Sequence, residues 1–509
     1  MESTIGQSKD IKAPYGIIFI LLTGAFVSLL SNTLLNIALP SIMEHFHISS
    51  PSTVQWLTTG YMLVNGIMIP STAFLIQRFS VRRLFLTAMS LFTLGTMLGG
   101  FAPTFAVLLI GRMVQASGSA IMMPLLMNVM LTSFPVEKRG GAMGMFGLVM
   151  IFAPAIGPTL SGWIIEHYKW NMLFHIIWPI ALLVIVIGLF KLRDKKEKIA
   201  IQLDVLSIIL SSIGFGGILY GFSIAGNTDK GGWSSPEVYI TLTVGVIALV
   251  FFILRQFKLK QPMLDFRVYK YPMFALASMI SVVLNMAMFS AMLLMPIYLQ
   301  SIRHISPLHS GLLLLPGAIV MGIMSPITGK LFDKFGAKAL ALIGLSITAV
   351  TSYTFSQLTL DTSYTTLIFM YTARMFGMSM IMMPVMTNGL NQLPLRYTPH
   401  GTAMNSTLAQ VSGAIGTALL ITIMTNRTKS HIETMMEKAM ADLTSKPSAD
   451  ELNTLKQQII AQGTVEGIND SFLVSVGIII VALVLALFIK RAKPAADKDP
   501  ETAPQAVKA

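Results

Sequence analysis

Residues 172–190 read MLFHIIWPIALLVIVIGLF, a run with no carboxylate, lysine or arginine. Coiled as an α-helix it spans roughly 28 Å, close to the ~30 Å hydrocarbon core of a bilayer. The chain then turns abruptly basic: Lys191-Leu192-Arg193-Asp194-Lys195-Lys196-Glu197-Lys198. An apolar run of this length that stops at a Lys/Arg cluster reads as a membrane helix leaving on the cytoplasmic side. The cluster either anchors that topology alone or also binds anionic lipid headgroups.

Outward from this run the same pattern recurs. The chain has 509 residues, 54% hydrophobic and only 12% charged, with a mean hydropathy of +0.70. That charged share is about half the usual for a soluble domain, which excludes an ordinary cytosolic enzyme and a disordered chain. Cysteine is absent, so disulfides, thiolate nucleophiles and Cys-ligated metals are excluded. Fourteen stretches are long and apolar enough to span a membrane: about 15–39, 54–76, 84–101, 105–126, 141–165, 172–190, 203–223, 237–256, 273–299, 309–329, 338–358, 365–387, 402–425 and 471–489. The expected fold class is all-α, a polytopic membrane protein with fourteen transmembrane helices.

The net charge of +13 has a positional explanation. With the N-terminus inside, the inside segments hold 26 of the 36 Lys and Arg, and the outside loops hold 8. Arg112 and Arg374 lie within spans. Short loops follow the positive-inside rule, so both termini are expected in the cytoplasm and no nucleic-acid partner is expected. Two extramembrane segments are sizeable. Residues 426–470 form either a solvated helical hairpin or a partner-binding module, outside. The Lys-, Pro- and Ala-rich tail 491–509 reads as disordered.

Three landmarks recur. Gln77-Arg78-Phe79-Ser80 matches Asp333-Lys334-Phe335-Gly336, an offset of 256. Arg112-Met113 matches Arg374-Met375, an offset of 262, and Ala155-Ile156-Gly157 matches Ala414-Ile415-Gly416, an offset of 259. Their common order predicts two homologous six-helix halves, residues 1–195 and 273–490, with two inserted helices in 196–272. Halves of this kind, with a site between them at mid-membrane depth, are a transporter architecture.

The pattern resembles the major facilitator superfamily, and within it the fourteen-span drug:proton antiporters of the lincomycin-resistance and multidrug-exporter branch. Gly329-x-Leu331-x-Asp333-Lys334-x-Gly336 is similar to the superfamily's cytoplasmic loop motif. Arg112-x-x-Gln115-x-x-Gly118 resembles its fourth-span motif, with Ala116 for the usual Gly. Gly144, Ala153, Gly157-Pro158 and Ser161-Gly162 resemble the fifth-span antiporter motif, and Asn36-Ile37-Ala38-Leu39-Pro40 the first-span ending. The resemblance implies a proton-coupled secondary transporter of the bacterial cytoplasmic membrane, exporting amphipathic drugs or metabolites by alternating access. It also implies coupling or cavity roles for Arg112, Gln115, Asn32, Asn36 and Arg374, gating by Pro154, Gly157, Pro158 and Gly162, and cytoplasmic closure by Gly329, Asp333, Lys334 and Gly336.

The residues themselves support part of this. An arginine at mid-span costs about 2.5–3.5 kcal/mol to insert, so Arg112 and Arg374 face protein or a wet cavity. Each is either a functional charge or a structural tether. Ala153, Gly157 and Ser161 share one helix face, a gate or simply a close packing surface. The departures matter too. The family's first-span acid is Asn32 here, and the first-half loop motif has Gln77 and Ser80 where the family has Asp and Gly. None of the 23 acidic residues sits in the middle third of a span. His175, one turn inside its span and near Glu166 in the sequence, is a candidate proton group or an interfacial histidine. Two buried arginines without a central carboxylate favour neutral, zwitterionic or anionic amphiphiles. The methionines of 286–295 and 375–386 suit a pocket that repacks around varied ligands, or plain helix packing.

No Walker sequence and no His-Glu-x-x-His occurs, so neither a primary pump nor an intramembrane metalloenzyme is indicated. No enzyme activity, cofactor or metal is expected. The partners expected are small amphipathic substrates, protons and membrane lipids, with the protein a monomer. The alternatives are an exporter of one anionic metabolite and a non-transporting membrane sensor.

Overall fold

In lipid every backbone N–H and C=O needs an internal partner, so apolar runs coil and polar residues mark their ends. The computed structural model describes residues 15–48, 51–54, 56–192, 204–225, 232–441 and 449–492, and no strand occurs among them. The first half comprises α1 (Tyr15–His45), α2 (Trp56–Arg78), α3 (Val81–Gly100), α4 (Phe105–Ser133), α5 (Arg139–His167) and α6 (Met172–Lys191). The inserted pair is α7 (Val205–Ala225) and α8 (Pro236–Lys258). The second half holds α9 (Pro272–Pro296), α10 (Pro307–Phe335), α11 (Ala337–Phe355), α12 (Tyr364–Asn391), α13 (Thr398–Ala441) and α14 (Ala449–Ala486). Thirteen of these are long and apolar enough to cross a membrane, and α9 supplies the fourteenth with a shorter apolar stretch, Pro272–Met288.

Starts and stops follow local chemistry. Ser80, Thr104, Ser306 and Ser363 each accept an N–H in the first turn of α3, α4, α10 and α12, the usual hydroxyl cap. Gly336 ends α10 at φ +78°, a conformation that a side chain disfavours. Prolines interrupt two helices. Pro70 sits in a 3₁₀ turn, Ile69–Ser71, within α2. In α12 the expected single helix breaks between Ser379 and Met382. Pro384 is the reason: its ring displaces the carbonyl of residue 380, four positions earlier.

Within each half the packing repeats. α1 packs on α4, α5 and α6, as α9 does on α12, α13 and α14. α4 packs on α2 and α3, as α12 does on α10 and α11; α3 packs on α6 as α11 does on α14. Between the halves, α5 lies along α10 and α2 along α13, two contacts that exchange under the same repeat. The inserted α7 leans on α2 and α13 and carries α8 on its far side. Arg255 forms two hydrogen bonds with Asp204 at the start of α7, at 2.8 and 3.0 Å, and clips the inserted pair together.

Of the polar segment between the last two spans, residues 426–441 and 449–470 are helical. α13 and α14 run on beyond the apolar stretches and pack along each other, Gly463 against Ile432 and Gly467 against Thr428. Arg427 and His431 both reach Asp470, at 2.5 and 2.9 Å. The expected disordered tail lies outside the described residues from 493 onward, as do the domain boundary at 195 and most of the basic segment 191–198.

Candidate functional site

Two arginines organise the interior. Arg112 and Arg374 are each 1% exposed. Positions 112 and 115 share one face of α4, and Arg112 Nη1 donates to Gln115 Oε1 at 2.5 Å. Arg112 Nη2 donates to Asn32 Oδ1 of α1 at 3.3 Å, and Nε to the Leu57 carbonyl of α2 at 3.5 Å. The guanidinium lies 4.3 Å from the centre of the Tyr61 ring, a cation–π contact. Gln115 Nε2 continues to Ser31 of α1 at 2.9 Å and Thr96 of α3 at 2.7 Å. Thus a buried cation is held by four helices through neutral oxygens and a ring face.

Arg374 repeats the scheme. It donates to Ser352 Oγ of α11 at 2.5 Å and to the Ala287 carbonyl of α9 at 2.9 Å. The offset of 256 carries Thr96 onto Ser352, and 262 carries Gln115 onto Gly377. With glycine where Gln115 stands, α12 closes on α11 and the arginine reaches the hydroxyl directly. A β-carbon on Gly377 would meet the Gly344 carbonyl at 2.9 Å.

The small face of α5 packs inside its own half. Gly157 leaves room for Thr33 of α1, and Ser161 Oγ donates to the Leu34 carbonyl at 2.6 Å. Pro158 and Gly162 turn instead toward α10, near Gly311 and Leu308. Pro154 and Pro158 both lie inside a helix that stays continuous. Asn36 lies on α1, and its side chain is outside the described residues. His175 stacks edge-on to Phe101 and accepts from Trp178 Nε1 at 3.3 Å. Glu166 is exposed, and among the described contacts none joins it to His175.

The end of the bundle that carries the basic loops is tightly closed. Both Asp333 oxygens accept backbone N–H groups at the first turn of α5, from Gly140 at 2.9 Å and Gly141 at 3.1 Å. A carboxylate on a helix N-terminus satisfies orphan donors and complements the helix dipole, worth about 0.3–2 kcal/mol. Beside it, the backbones of Gly140 and Gly329 touch; a β-carbon on Gly329 would lie 2.9 Å from the Gly140 carbonyl carbon. Arg139 donates to Asn391 Oδ1 at 3.1 Å, and Arg491 to the Asp333 carbonyl at 2.8 Å. Lys334 lies over the Phe335 ring. We expect Asp333→Asn, which removes the charge and one of the two acceptors, to lower transport severalfold at normal membrane abundance. Unchanged transport would reduce Asp333 to a marker of topology.

Two six-helix halves related by an internal repeat, each with a buried arginine on its fourth helix, agree with what comparison with known proteins finds. A family model described as the major facilitator superfamily matches residues 21–417. The chain belongs to the major facilitator superfamily. It is 43% identical to the lincomycin resistance protein LmrB of Bacillus subtilis (strain 168), over 97% of this chain and 99% of the relative. It is 48% identical to the uncharacterized MFS-type transporter YhcA of the same organism, over 95% of this chain and 94% of the relative. The fold matches a crystal structure of the human organic anion transporter MFSD10 (TETRAN) with a TM-score of 0.65 at 10% identity, covering 93% of this chain and 99% of that one. This superfamily member is therefore a multi-pass membrane transporter.

Several site members went unread in the sequence. Tyr61, Ser31, Thr96 and Ser352 are ordinary residues in apolar runs, and only helix rotation brings them to the arginines. The repeat was a usable signal for Ser352, once Thr96 is placed beside Gln115.

Proposed function

We propose that this transporter exports amphipathic drugs or metabolites from the bacterial cytoplasm in exchange for protons, by alternating access. The observation that carries the reading is the symmetric junction of the halves, α5 on α10 and α2 on α13. Two equivalent seams let one half rock against the other about a site at mid-depth. The basic loops support a cytoplasmic position for the closed end, and the lincomycin-resistance relatives support drugs as cargo. Arg112 biases the charge of the cavity and the affinity for protons. The Gly-Pro face of α5 gates, and Asp333 braces the cytoplasmic closure. The protein works as a monomer in contact with lipid.

A second reading, export of an anionic metabolite, is favoured by one observation. Among the described residues no carboxylate contacts Arg112; its partners are Asn32, Gln115, a carbonyl and a ring. The test uses everted vesicles holding an acid-inside pH gradient, with a lincosamide, a neutral amphiphile, an organic anion and a cationic dye added in turn. Collapse of the gradient by the lincosamide or neutral amphiphile, against vesicles lacking the protein, is expected. Collapse by the organic anion alone selects the second reading. Efflux of the cationic dye alone overturns the charge argument, and no collapse at all overturns proton exchange for these classes.

A further inference from the structure

The clamp of Asp333 on α5 has a symmetry mate of different chemistry. The loop-motif offset of 256 carries Gln77 onto Asp333, and the fifth-span offset of 259 carries Gly141 onto His400. The structure joins those two mates as well: Gln77 Nε2 lies 2.6 Å from His400 Nε2. Each half thus sends the end of its second helix onto the first turn of the other half's fifth helix. One latch is a carboxylate on backbone N–H groups; the other is an amide on an imidazole.

His400 is buried, at 6% exposure, and both ring nitrogens are engaged. Nδ1 accepts the backbone N–H of Asp265 at 3.1 Å, from the linker that joins the inserted pair to α9. A ring that accepts at Nδ1 is neutral and carries its proton on Nε2. It therefore donates to Gln77, whose amide oxygen must face it. One neutral histidine thereby ties the first half, the linker and the second half together.

We infer that His400 is a proton-released latch, closed while its ring is neutral and opened when protons on the basic-loop side charge it. A second proton on Nδ1 would set N–H against the Asp265 N–H, so the ring cannot be charged and remain in place. Among the described residues, the charged and titratable groups around it are Asp265, Tyr397, Arg396 and Arg78. Asp265 is the acid, its carboxylate already held by the Arg267 N–H at 2.9 Å. Tyr397 lies 6.5 Å away, ring to ring, with the Arg396 guanidinium over the Tyr397 ring at 4.8 Å. From α2, Arg78 beside Gln77 rests over Phe74 and Phe79. The Asp265 carboxylate favours the charged ring, but the group that faces Nδ1 in the closed position is the Asp265 backbone N–H, which offers a second ring proton no acceptor there. Burial holds the latched imidazole below the ordinary histidine range, at about 4, so between about pH 5 and 8 it is the opened, solvated ring that takes the proton, and acidification favours opening.

The test needs no transport and no substrate. The protein contains no cysteine, so Thr407→Cys gives a single thiol. Thr407 is 1% exposed, and at two helical turns from His400 it shares the same face of α13. Its maleimide labelling rate is measured in the purified protein at about pH 7.5 and about pH 5.5, values that bracket an ordinary histidine. The same measurement in a His400→Gln background, whose amide keeps an acceptor and a donor without titrating, corrects for thiol ionisation. The ratio of the two rates is expected to rise about fivefold on acidification, the worth of one net hydrogen bond. A ratio that does not change with pH overturns the inference. If His400→Gln does not fold, His400→Asn serves as the reference and the same two outcomes decide.

Discussion

Gly140→Ala is expected to cut transport to a small fraction of wild type, whereas Gly141→Ala leaves it nearly unchanged. The two glycines are neighbours at the start of α5, and alanine gains both about the same helix propensity, up to ~1 kcal/mol. Their surroundings differ. A β-carbon at Gly140 would collide with the Gly329 carbonyl and the Asp333 carboxylate, whereas at Gly141 the nearest atom is Asp333 Oδ2, 4.0 Å away. At Gly140 the intruding atom meets backbone of another helix, which cannot swing aside as a flexible side chain does. Overpacking of this kind costs about 1–3 kcal/mol, here charged to the closed end alone. Vesicle transport, normalised to membrane abundance, reads the difference. Equal behaviour of the two variants would show that the α5–α10 contact is incidental to the cycle.

Arg112→Ala is expected to reduce transport to the background of vesicles lacking the protein while the chain still accumulates in the membrane. Two stability terms oppose each other. Removing the guanidinium leaves Gln115 Oε1 and Asn32 Oδ1 short of a donor, at about 1–3 kcal/mol for each buried group. It also removes a buried charge that costs about 2.5–3.5 kcal/mol to insert. The fold therefore survives, and what disappears is the positive charge that four helices hold in place. Arg112→Lys is expected to restore only part of the activity. A compact ammonium cannot match the planar fork that serves Leu57, Asn32 and Gln115 together. Wild-type transport by Arg112→Ala would make the arginine a structural tether.

The fold was legible because the bilayer imposes one length scale on every helix and one charge bias on every loop. The halves were legible because the landmarks kept their order and spacing. The site was less so. Arg112 stood out as a cation in lipid, but Asn32 and Gln115 entered through family resemblance, and their convergence depends on helix rotations that composition does not encode. The break in α12 was announced by Pro384, which the apolar run around it masks. His400 escaped notice because it begins a helix in a polar turn; applying the repeat to Asp333 and Gly141 would have pointed to it. His175 and Glu166, close in sequence, belong to different helix ends, and proximity along the chain did not become contact.

The length of α13 has a mechanical consequence. A rigid rod of 44 residues is about 66 Å long at 1.5 Å per residue, so each degree of tilt about its base sweeps its far end through about 1 Å. Paired with α14, it would serve in the proposed cycle as a pointer that starts at the His400 turn and whose tip stands clear of the apolar stretch. A fluorophore at Met440, 57% exposed near that tip, would magnify angular changes too small to follow at the seam itself. Events at the buried junction would then be readable, as displacement, from the opposite face of the molecule.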